Sequence, residues 1–207
     1  MKRLRAEGMT MTAQATQGGF DFGTAQSIER LFVGLMLPAA QAGQAVEVRR
    51  RSQELYGLKE GRNEVRSDRL HVTLIHVGDY AGSIRADVAA EVSAVIAAME
   101  RPSFVVSFDR VGSFGGAPGR HPHVLLGEAG VEALKAFRLS LWEAIHRRLK
   151  KTLSNPQFNP HVTLMYGEAR LPERAVAPIS WRATEVELIH SEVGRSTYHT
   201  LGRWPLG

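Results

Sequence analysis

Residues 71–74 read His-Val-Thr-Leu, and the same four residues recur at 161–164. Alternate side chains of a β-strand point to the same face, so the histidine and threonine of each copy share one face, and the valine and leucine share the other. Each copy therefore predicts a half-buried strand with a polar pair on its open side. If the two strands meet, two imidazoles and two hydroxyls surround one small pocket.

The surroundings of the two copies are alike. Each copy lies in a β-prone run and follows a turn signal, at residues 67–68 for the first and at residues 159–160 for the second. A strand whose polar pair simply faces solvent is the alternative for either copy alone, but two copies in matching contexts favour a shared site. The candidate catalytic residues are His71, Thr73, His161 and Thr163.

The hydrophobic pattern predicts one folded domain of two similar lobes. Residues 1–27 lack apolar periodicity and predict a disordered tail, so the domain spans residues 28–207. Apolar residues at steps of three and four predict helices at 39–56, 84–99 and 130–151. β-prone runs predict strands at 30–37, 69–75, 104–108, 122–126, 161–166, 181–191 and 196–204. This order predicts an α+β fold in which two mostly antiparallel sheets, related by a pseudo-twofold axis and flanked by helices, enclose a central cleft.

The composition excludes several classes of protein. No apolar run in the 207 residues approaches the roughly 20 needed to span a bilayer, and no signal-peptide core follows the basic N-terminus. Cysteine is absent, which excludes disulfides, thiolate nucleophiles and cysteine zinc sites and favours a cytoplasmic location.

A net charge of +5 favours anionic partners such as RNA or nucleotides. We expect the basic runs at 49–51 and 147–151 to be solvated helix faces, with a nucleic-acid surface as the alternative.

From about residue 28 to the C-terminus the chain resembles the two-histidine (2H) phosphoesterase superfamily. Within it, the chain is most similar to the bacterial branch of 2′-5′ RNA ligases and RNA 2′,3′-cyclic phosphodiesterases, and the resemblance implies their bilobal fold. The landmarks that carry it are Glu29-Arg30-Leu31-Phe32-Val33, Leu70-His71-Val72-Thr73-Leu74, Gly112-Ser113-Phe114-Gly115, Pro160-His161-Val162-Thr163-Leu164 and Gly202-Arg203-Trp204-Pro205-Leu206.

The resemblance implies metal-independent hydrolysis of 2′,3′-cyclic phosphate ends of RNA or nucleotides to 2′-phosphomonoesters, with weak reverse 2′-5′ ligation. One imidazole accepts the proton of the attacking water and the other protonates the leaving ribose oxygen, tasks that suit the pKa of histidine. The threonine hydroxyls bind the non-bridging oxygens. We assign His71 as the base and His161 as the acid, although the pseudo-symmetry also allows the reverse. We expect no cofactor and no metal, because the pair His121 and His123 lacks a third ligand.

Substrate binding departs from the family pattern. Many relatives carry an arginine shortly after each motif, where this chain reads Ile75-His76 and Met165-Tyr166. Arg120, Arg195 or the backbone of the glycine-rich loop at 112–119 could supply the missing charge. Tyr198 could stack on a base, with a core tyrosine as the alternative.

Two other functions stay open at this point. The same pocket could act on a different small nucleotide, such as a 2′-5′ oligonucleotide, a cyclic dinucleotide-type signal or ADP-ribose 1″,2″-cyclic phosphate. The fold could also serve as a non-catalytic RNA-binding module. In each case we expect RNA 3′ ends or small nucleotides as partners, no membrane, and a monomer.

Overall fold

The computed structural model describes residues 26–59, 61, 63–150 and 157–207, so the predicted tail lies almost entirely outside the described residues. The strands in this part are β1 (Ile28–Met36), β2 (His71–Ala81), β3 (Phe104–Ser113), β4 (His121–Leu126), β5 (His161–Gly167), β6 (Arg174–Ala183), β7 (Glu185–Glu192) and β8 (Thr197–Pro205). The helices are α1 (Ala39–Tyr56), α2 (Ala86–Ala98) and α3 (Glu132–Leu149), with short 3₁₀ turns at Ser67–Arg69 and Ala129–Val131. None of these helices is long and apolar enough to cross a membrane.

The strands form two four-stranded antiparallel sheets, as predicted. The first sheet has the order β2-β1-β7-β8 and the second the order β5-β4-β3-β6. Each sheet contains one strand–helix–strand unit with adjacent antiparallel strands, β1-α1-β2 in the first and β4-α3-β5 in the second. These corresponding units place a His-Val-Thr-Leu strand at an edge of each sheet, which confirms the α+β fold with two related sheets.

The two helices of these units both contact the sheet of the other unit. Helix α1 lies against β5 and β6 of the second sheet, whereas helix α3 contacts β2 of the first sheet and packs on β3 of its own sheet. Helix α2 packs on α3 and on β8. A single hydrophobic cluster, which includes Leu35 and Val72 of the first sheet and Phe108 and Leu164 of the second, joins the two halves. The two sheets therefore share one core, and α1 and α3 both bridge them.

The helix boundaries follow the sequence signals closely. Pro38 precedes α1 in an extended conformation, and Gly57 ends it in the left-handed conformation with φ +62°, which costs glycine little. Helices α2 and α3 agree with their predicted ranges to within two residues.

The prediction of one strand over residues 181–191 is wrong. The chain forms β6 in the second sheet, passes Thr184, and continues as β7 in the first sheet. The run from 174 to 192 carries no turn signal strong enough to mark this change, because the division depends on which strands are available for pairing. As a result the C-terminal strands β7 and β8 complete the first sheet, and the halves of the sequence do not coincide with the two lobes.

Candidate active site

The two motif strands lie next to each other at the junction of the sheets. Strands β2 and β5 approach to within 8 Å between Cα atoms. The chain just before β2 also pairs with β5, since the Val65 amide donates to the Leu164 carbonyl (3.0 Å) and the Tyr166 amide donates to the Asn63 carbonyl (2.9 Å). The fold therefore brings together the two copies that the sequence keeps far apart.

The two copies have the same local structure. The seven residues from His71 and the seven residues from His161 show the same succession of half-buried and buried side chains. In both strands the motif leucine has no partner residue on the neighbouring strand. Leu74 therefore lies in a bulge of β2, and Leu164 lies in the equivalent bulge of β5. A bulge leaves the extra residue unpaired and re-aims the side chains beside it.

A buried arginine from the opposite unit binds the carbonyl at each bulge. Arg138 of α3 donates from Nε to the Leu74 carbonyl (3.3 Å). Arg49 of α1 donates from Nη1 to the Val65 carbonyl (2.8 Å) and also approaches the Leu164 carbonyl (3.5 Å). The expectation that the run 49–51 is a solvated face is therefore wrong for Arg49. Helix α1 packs on the second sheet, which turns the Arg49 guanidinium inward, where it also pairs with Glu64.

The two candidate catalytic histidines, His71 and His161, are held by equivalent hydrogen bonds. His71 Nδ1–H donates to the Arg69 carbonyl (2.7 Å), and His161 Nδ1–H donates to the Asn159 carbonyl (2.9 Å). In each case the acceptor lies two residues before the histidine. Since a carbonyl can only accept, these bonds select the tautomer with the proton on Nδ1 and leave the Nε2 lone pair available.

One of the motif threonines contacts the Nε2 atom of its histidine. The Thr73 hydroxyl lies 3.1 Å from His71 Nε2 and donates to it. Thr163 occupies the equivalent place on β5 and is half-buried like Thr73. The structure thus places all four predicted residues on the two adjoining strands, each with a partly open side chain.

Burial keeps both imidazoles neutral. It lowers the pKa of His71 to about 4, against the opposing effect of the bond to the Arg69 carbonyl, and the charges of His161 and Arg69 lower it further. Burial also lowers the pKa of His161, partly offset by the bond to the Asn159 carbonyl. A positive charge on His161 lowers the pKa of His71, so protonation of His161 disfavours protonation of His71.

Aromatic side chains surround the histidines. The ring of His71 lies 4.9 Å from that of Phe32 and 5.7 Å from that of Tyr198, measured between centroids. The Arg69 guanidinium stacks on Tyr198, 4.0 Å from the centre of the tyrosine ring. On the second strand, the edge of Phe114 meets His161 at 4.9 Å. Tyr198 therefore lies at the site, whereas Arg69, Phe32 and Phe114 were not predicted to contact it.

The two remaining predicted residues, Arg120 and Arg195, lie in different places. Arg120 lies 4.7 Å above the ring of Tyr166, beside the second motif strand. Arg195 lies at the turn between β7 and β8, where it is exposed and donates to Glu192 (3.2 Å). A cation that the sequence did not suggest is Arg30, whose pKa is raised mainly by hydrogen bonds to Asp79 and also by the nearby Tyr166 and Tyr198.

The ionisable side chains of the described residues bear on both metal binding and acid–base chemistry. Among the described residues, no three histidine, aspartate or glutamate side chains are grouped so that they could hold a metal ion. His123, from the predicted pair, is buried and donates from Nε2 to the Ala169 carbonyl (2.9 Å). Two neutral imidazoles, each with its proton on Nδ1, can take up and release protons at Nε2.

Comparisons with known proteins agree with this geometry. A family model described as the 2′-5′ RNA ligase superfamily matches residues 38–195, about three quarters of the chain. Escherichia coli LigT in complex with ATP is similar in structure (TM-score 0.67, 23% identity, covering 86% of this chain and 98% of LigT). TT0787 of Thermus thermophilus is also similar (TM-score 0.68, 22% identity, covering 86% of this chain and 97% of TT0787). No curated protein matches the sequence.

Proposed function

Since the chain belongs to the 2′-5′ RNA ligase superfamily of 2H phosphoesterases, we propose that it hydrolyses 2′,3′-cyclic phosphate ends of RNA or nucleotides to 2′-phosphomonoesters. The observation that carries this proposal is the matched pair of hydrogen bonds from His71 and His161 to the carbonyls two residues upstream. Both bonds put the ring proton on Nδ1 and make Nε2 a proton acceptor, and at His71 the Thr73 hydroxyl contacts that atom. A reaction with one proton acceptor and one proton donor requires two such imidazoles.

In the proposed reaction a water molecule attacks phosphorus and the bond from phosphorus to the ribose 3′ oxygen breaks. His71 Nε2 takes a proton from the water, and protonated His161 gives a proton to the leaving oxygen. One P–O bond forms and one breaks, so the product is a 2′-phosphomonoester with a free 3′ hydroxyl. Thr73 and Thr163 donate to the non-bridging oxygens, where negative charge accumulates.

The pKa of His71 suits the role of base. A pKa of about 4 makes His71 a proton acceptor at any pH near neutral. Burial also lowers the pKa of His161. A phosphate anion bound between the rings favours the charged form of His161, because an opposite charge close by stabilises it.

The proposed substrate is a nucleotide because of the groups next to His71. Tyr198, which meets the His71 ring at 76° and carries the Arg69 guanidinium over its ring, is the proposed aromatic surface for a base. Arg120 is the proposed cation beside the second motif strand, and Arg195 is the one at the β7–β8 turn. E. coli LigT structures contain ATP, NADP+ and 3′-AMP, and we extend nucleotide binding to this chain on that basis. We further propose a cytoplasmic, monomeric enzyme.

The test is turnover of adenosine 2′,3′-cyclic phosphate in the presence of EDTA, with the product identified by phosphorus NMR. His71→Ala and His161→Ala should each lower kcat by about 10²–10⁴-fold. His146→Ala, on the α3 helix where the ring stacks on Trp142, is the matched control and should retain activity. Full activity in either motif variant, or activity abolished by EDTA, would contradict the proposal. A panel of other cyclic and 2′-5′-linked nucleotides would identify a different preferred substrate.

A further inference from the structure

Two arginines, one on each of the longest helices, turn inward against the motif strands. Arg138 of α3 is 4% exposed, and the side chain of Arg49 on α1 is 11% exposed. Charged side chains are almost never buried to this extent unless bound partners compensate for the loss of water. Other arginines of the same helices, such as Arg51 and Arg147, are exposed. The burial of Arg49 and Arg138 is therefore specific to their positions.

Arg138 contacts the chain around both motifs. Its Nε donates to the Leu74 carbonyl (3.3 Å), in the bulge that directly follows the first His-Val-Thr. Its guanidinium also lies 5.2 Å from the centre of the Phe158 ring, within the range of a cation–π contact. The next residue, Asn159, supplies the carbonyl that binds His161 Nδ1. Arg138 therefore joins the bulge of the first motif to the segment that holds the histidine of the second.

Arg49 makes the reciprocal connection. It donates to the Val65 carbonyl (2.8 Å), in the chain that leads to the first motif, and approaches the Leu164 carbonyl (3.5 Å), in the bulge of the second. The same two residues are bonded to each other, since the Val65 amide donates to the Leu164 carbonyl (3.0 Å). Helix α1 also packs on the 3₁₀ turn Ser67–Arg69, whose last residue supplies the carbonyl that binds His71 Nδ1.

The Arg49 guanidinium is itself held in place. It pairs with Glu64 (2.9 Å), one residue before the Val65 carbonyl that it binds. Glu64 in turn accepts hydrogen bonds from Gln53 Nε2 (2.8 Å) and from the Gly61 amide (2.8 Å). Gln53 is buried on the same helix as Arg49. A network in which each polar group has its partner is rigid, so Arg49 ties α1 firmly to the chain before the first motif.

The bulges matter because they set the direction of the motif side chains. The extra residue of a bulge is unpaired in the ladder, and the strand bends there and re-aims its neighbours. In both strands this residue directly follows the motif threonine. A donor from another element fixes the carbonyl at the bulge, and its loss leaves a buried acceptor without that bond. The two arginines thus connect each bulge to the segment that enters the other motif.

We propose that Arg49 and Arg138 are positioning residues that fix the separation and the orientation of His71 and His161. Each acts through the backbone at a bulge and through the segment leading into the opposite motif. Misplacement of a catalytic group by about 1 Å can lower a rate by about 10²-fold, so two connections that cross between the motifs have a large effect on turnover. That effect rests on the proposed function, whereas the placement of the rings does not.

The kinetic test uses Arg49→Met and Arg138→Met, which remove the guanidinium and keep an unbranched side chain. Each should lower kcat for adenosine 2′,3′-cyclic phosphate by about 10- to 100-fold. KM should change little, because the groups proposed to hold the nucleotide remain and only the transition state is affected. The exposed Arg51→Met and Arg147→Met are the matched controls on the same helices and should retain kcat. Ile96→Ala truncates a buried side chain of α2 and should lower the unfolding temperature without lowering kcat while the protein is folded.

An NMR titration measures the placement of the rings without turnover. A positive charge on His161 lowers the pKa of His71, so His161→Gln should raise that pKa in the parent protein. Because the interaction of two charges weakens with distance, the rise should be smaller when Arg49→Met or Arg138→Met is also present. Arg51→Met and Arg147→Met should leave the rise unchanged. All titrations are confined to the pH range in which the variants are folded.

A lower kcat together with a smaller rise in the pKa of His71 supports the positioning role. Any other combination in a folded arginine variant overturns it, as does an equal loss of kcat in Ile96→Ala. Should the folded parent not hydrolyse the cyclic nucleotide, the proposed function is overturned and the titration alone decides the positioning role. Glu64→Gln is the milder variant if the arginine variants do not fold. It should lower kcat by up to about fivefold, because it weakens one partly exposed ion pair of Arg49, and an unchanged kcat there would overturn the role of Arg49.

Discussion

The most informative perturbation of this site is a change of pH. The proposed reaction needs neutral His71 and protonated His161 in the same molecule. The fraction with neutral His71 rises with pH through the pKa of His71, about 4. The fraction with protonated His161 falls as pH rises through the pKa of His161, which burial holds below its ordinary value of 6.5. The dependence of kcat/KM on pH follows the free enzyme, so its maximum should lie on the acidic side, between these two values.

The size of the effect can be worked out from the same values. A group with a pKa no higher than about 6.5 is at most about 3% protonated at pH 8. The value of kcat/KM at pH 8 should therefore be at least about 30-fold below its maximum, with a further tenfold loss for each additional unit of pH. A pKa of His161 lower than 6.5 would make the loss larger and move the maximum further towards acid.

The assay is the initial rate of adenosine 2′,3′-cyclic phosphate hydrolysis, at substrate concentrations well below KM, from pH 4 to pH 9. The cyclic diester stays singly anionic over this range, so the profile reports the enzyme. Unfolding must be followed in parallel. A histidine whose pKa is lower in the folded chain takes up a proton on unfolding, and stability is therefore lost as pH falls from about 6.5 to 4. Rates are compared only where the protein is folded.

A profile that is flat between pH 5 and pH 8, or one whose maximum lies above pH 7, would refute the reasoning. The first result would mean that neither imidazole changes protonation in the reaction. The second would mean that burial does not determine the pKa of His161 in the free enzyme.

Three further predictions concern residues around the histidines. Thr73→Val should lower kcat by about 10²-fold because a donor to the non-bridging oxygens is lost, while Thr73→Ser should restore most of the rate. Gly167→Ala should lower the free energy of unfolding in urea by about 1–3 kcal/mol, because the new Cβ would lie 2.4 Å from the buried ring of His123. Gly115→Ala, with no atom within 4 Å, is its control, and equal stability of the two variants would contradict the packing. Arg138→Met should cost about 1–3 kcal/mol, since the Leu74 carbonyl loses a buried donor, and an effect no larger than that of the exposed Arg147→Met would count against it.

The local parts of the fold could be predicted because their signals are local. Pro38 and Gly57 bound helix α1, and the structure begins and ends the helix between them. The alternation within His-Val-Thr-Leu likewise predicts which side chains are buried, and both copies show the expected pattern. In these segments the preferred backbone conformation and the burial of the apolar face agree, so tertiary contacts reinforce what the sequence indicates.

The non-local parts could not be predicted in the same way. Nothing around Thr184 indicates that β6 and β7 join different sheets, since both halves of that run are equally suited to a strand. Arg49 belongs to a run of three arginines, and only the packing of α1 on the second sheet shows that it binds backbone carbonyls near the second motif. The stacking of Arg69 on Tyr198 similarly joins residues 129 positions apart, since 198 minus 69 is 129. Such contacts depend on how the strands and helices are arranged in space, and the hydrophobic and charge patterns of a single sequence do not predict them.

The proposal that both histidines act on one phosphorus atom is tested most directly by a crystal structure with a nucleoside 2′,3′-vanadate, which imitates the five-coordinate transition state. We predict that His71 Nε2 and His161 Nε2 each lie within about 3.2 Å of an oxygen on the same vanadium, on opposite sides of it, with Thr73 and Thr163 bound to the remaining oxygens. Vanadate bound to only one of the two imidazoles, or bound elsewhere while the site stays open, would contradict it.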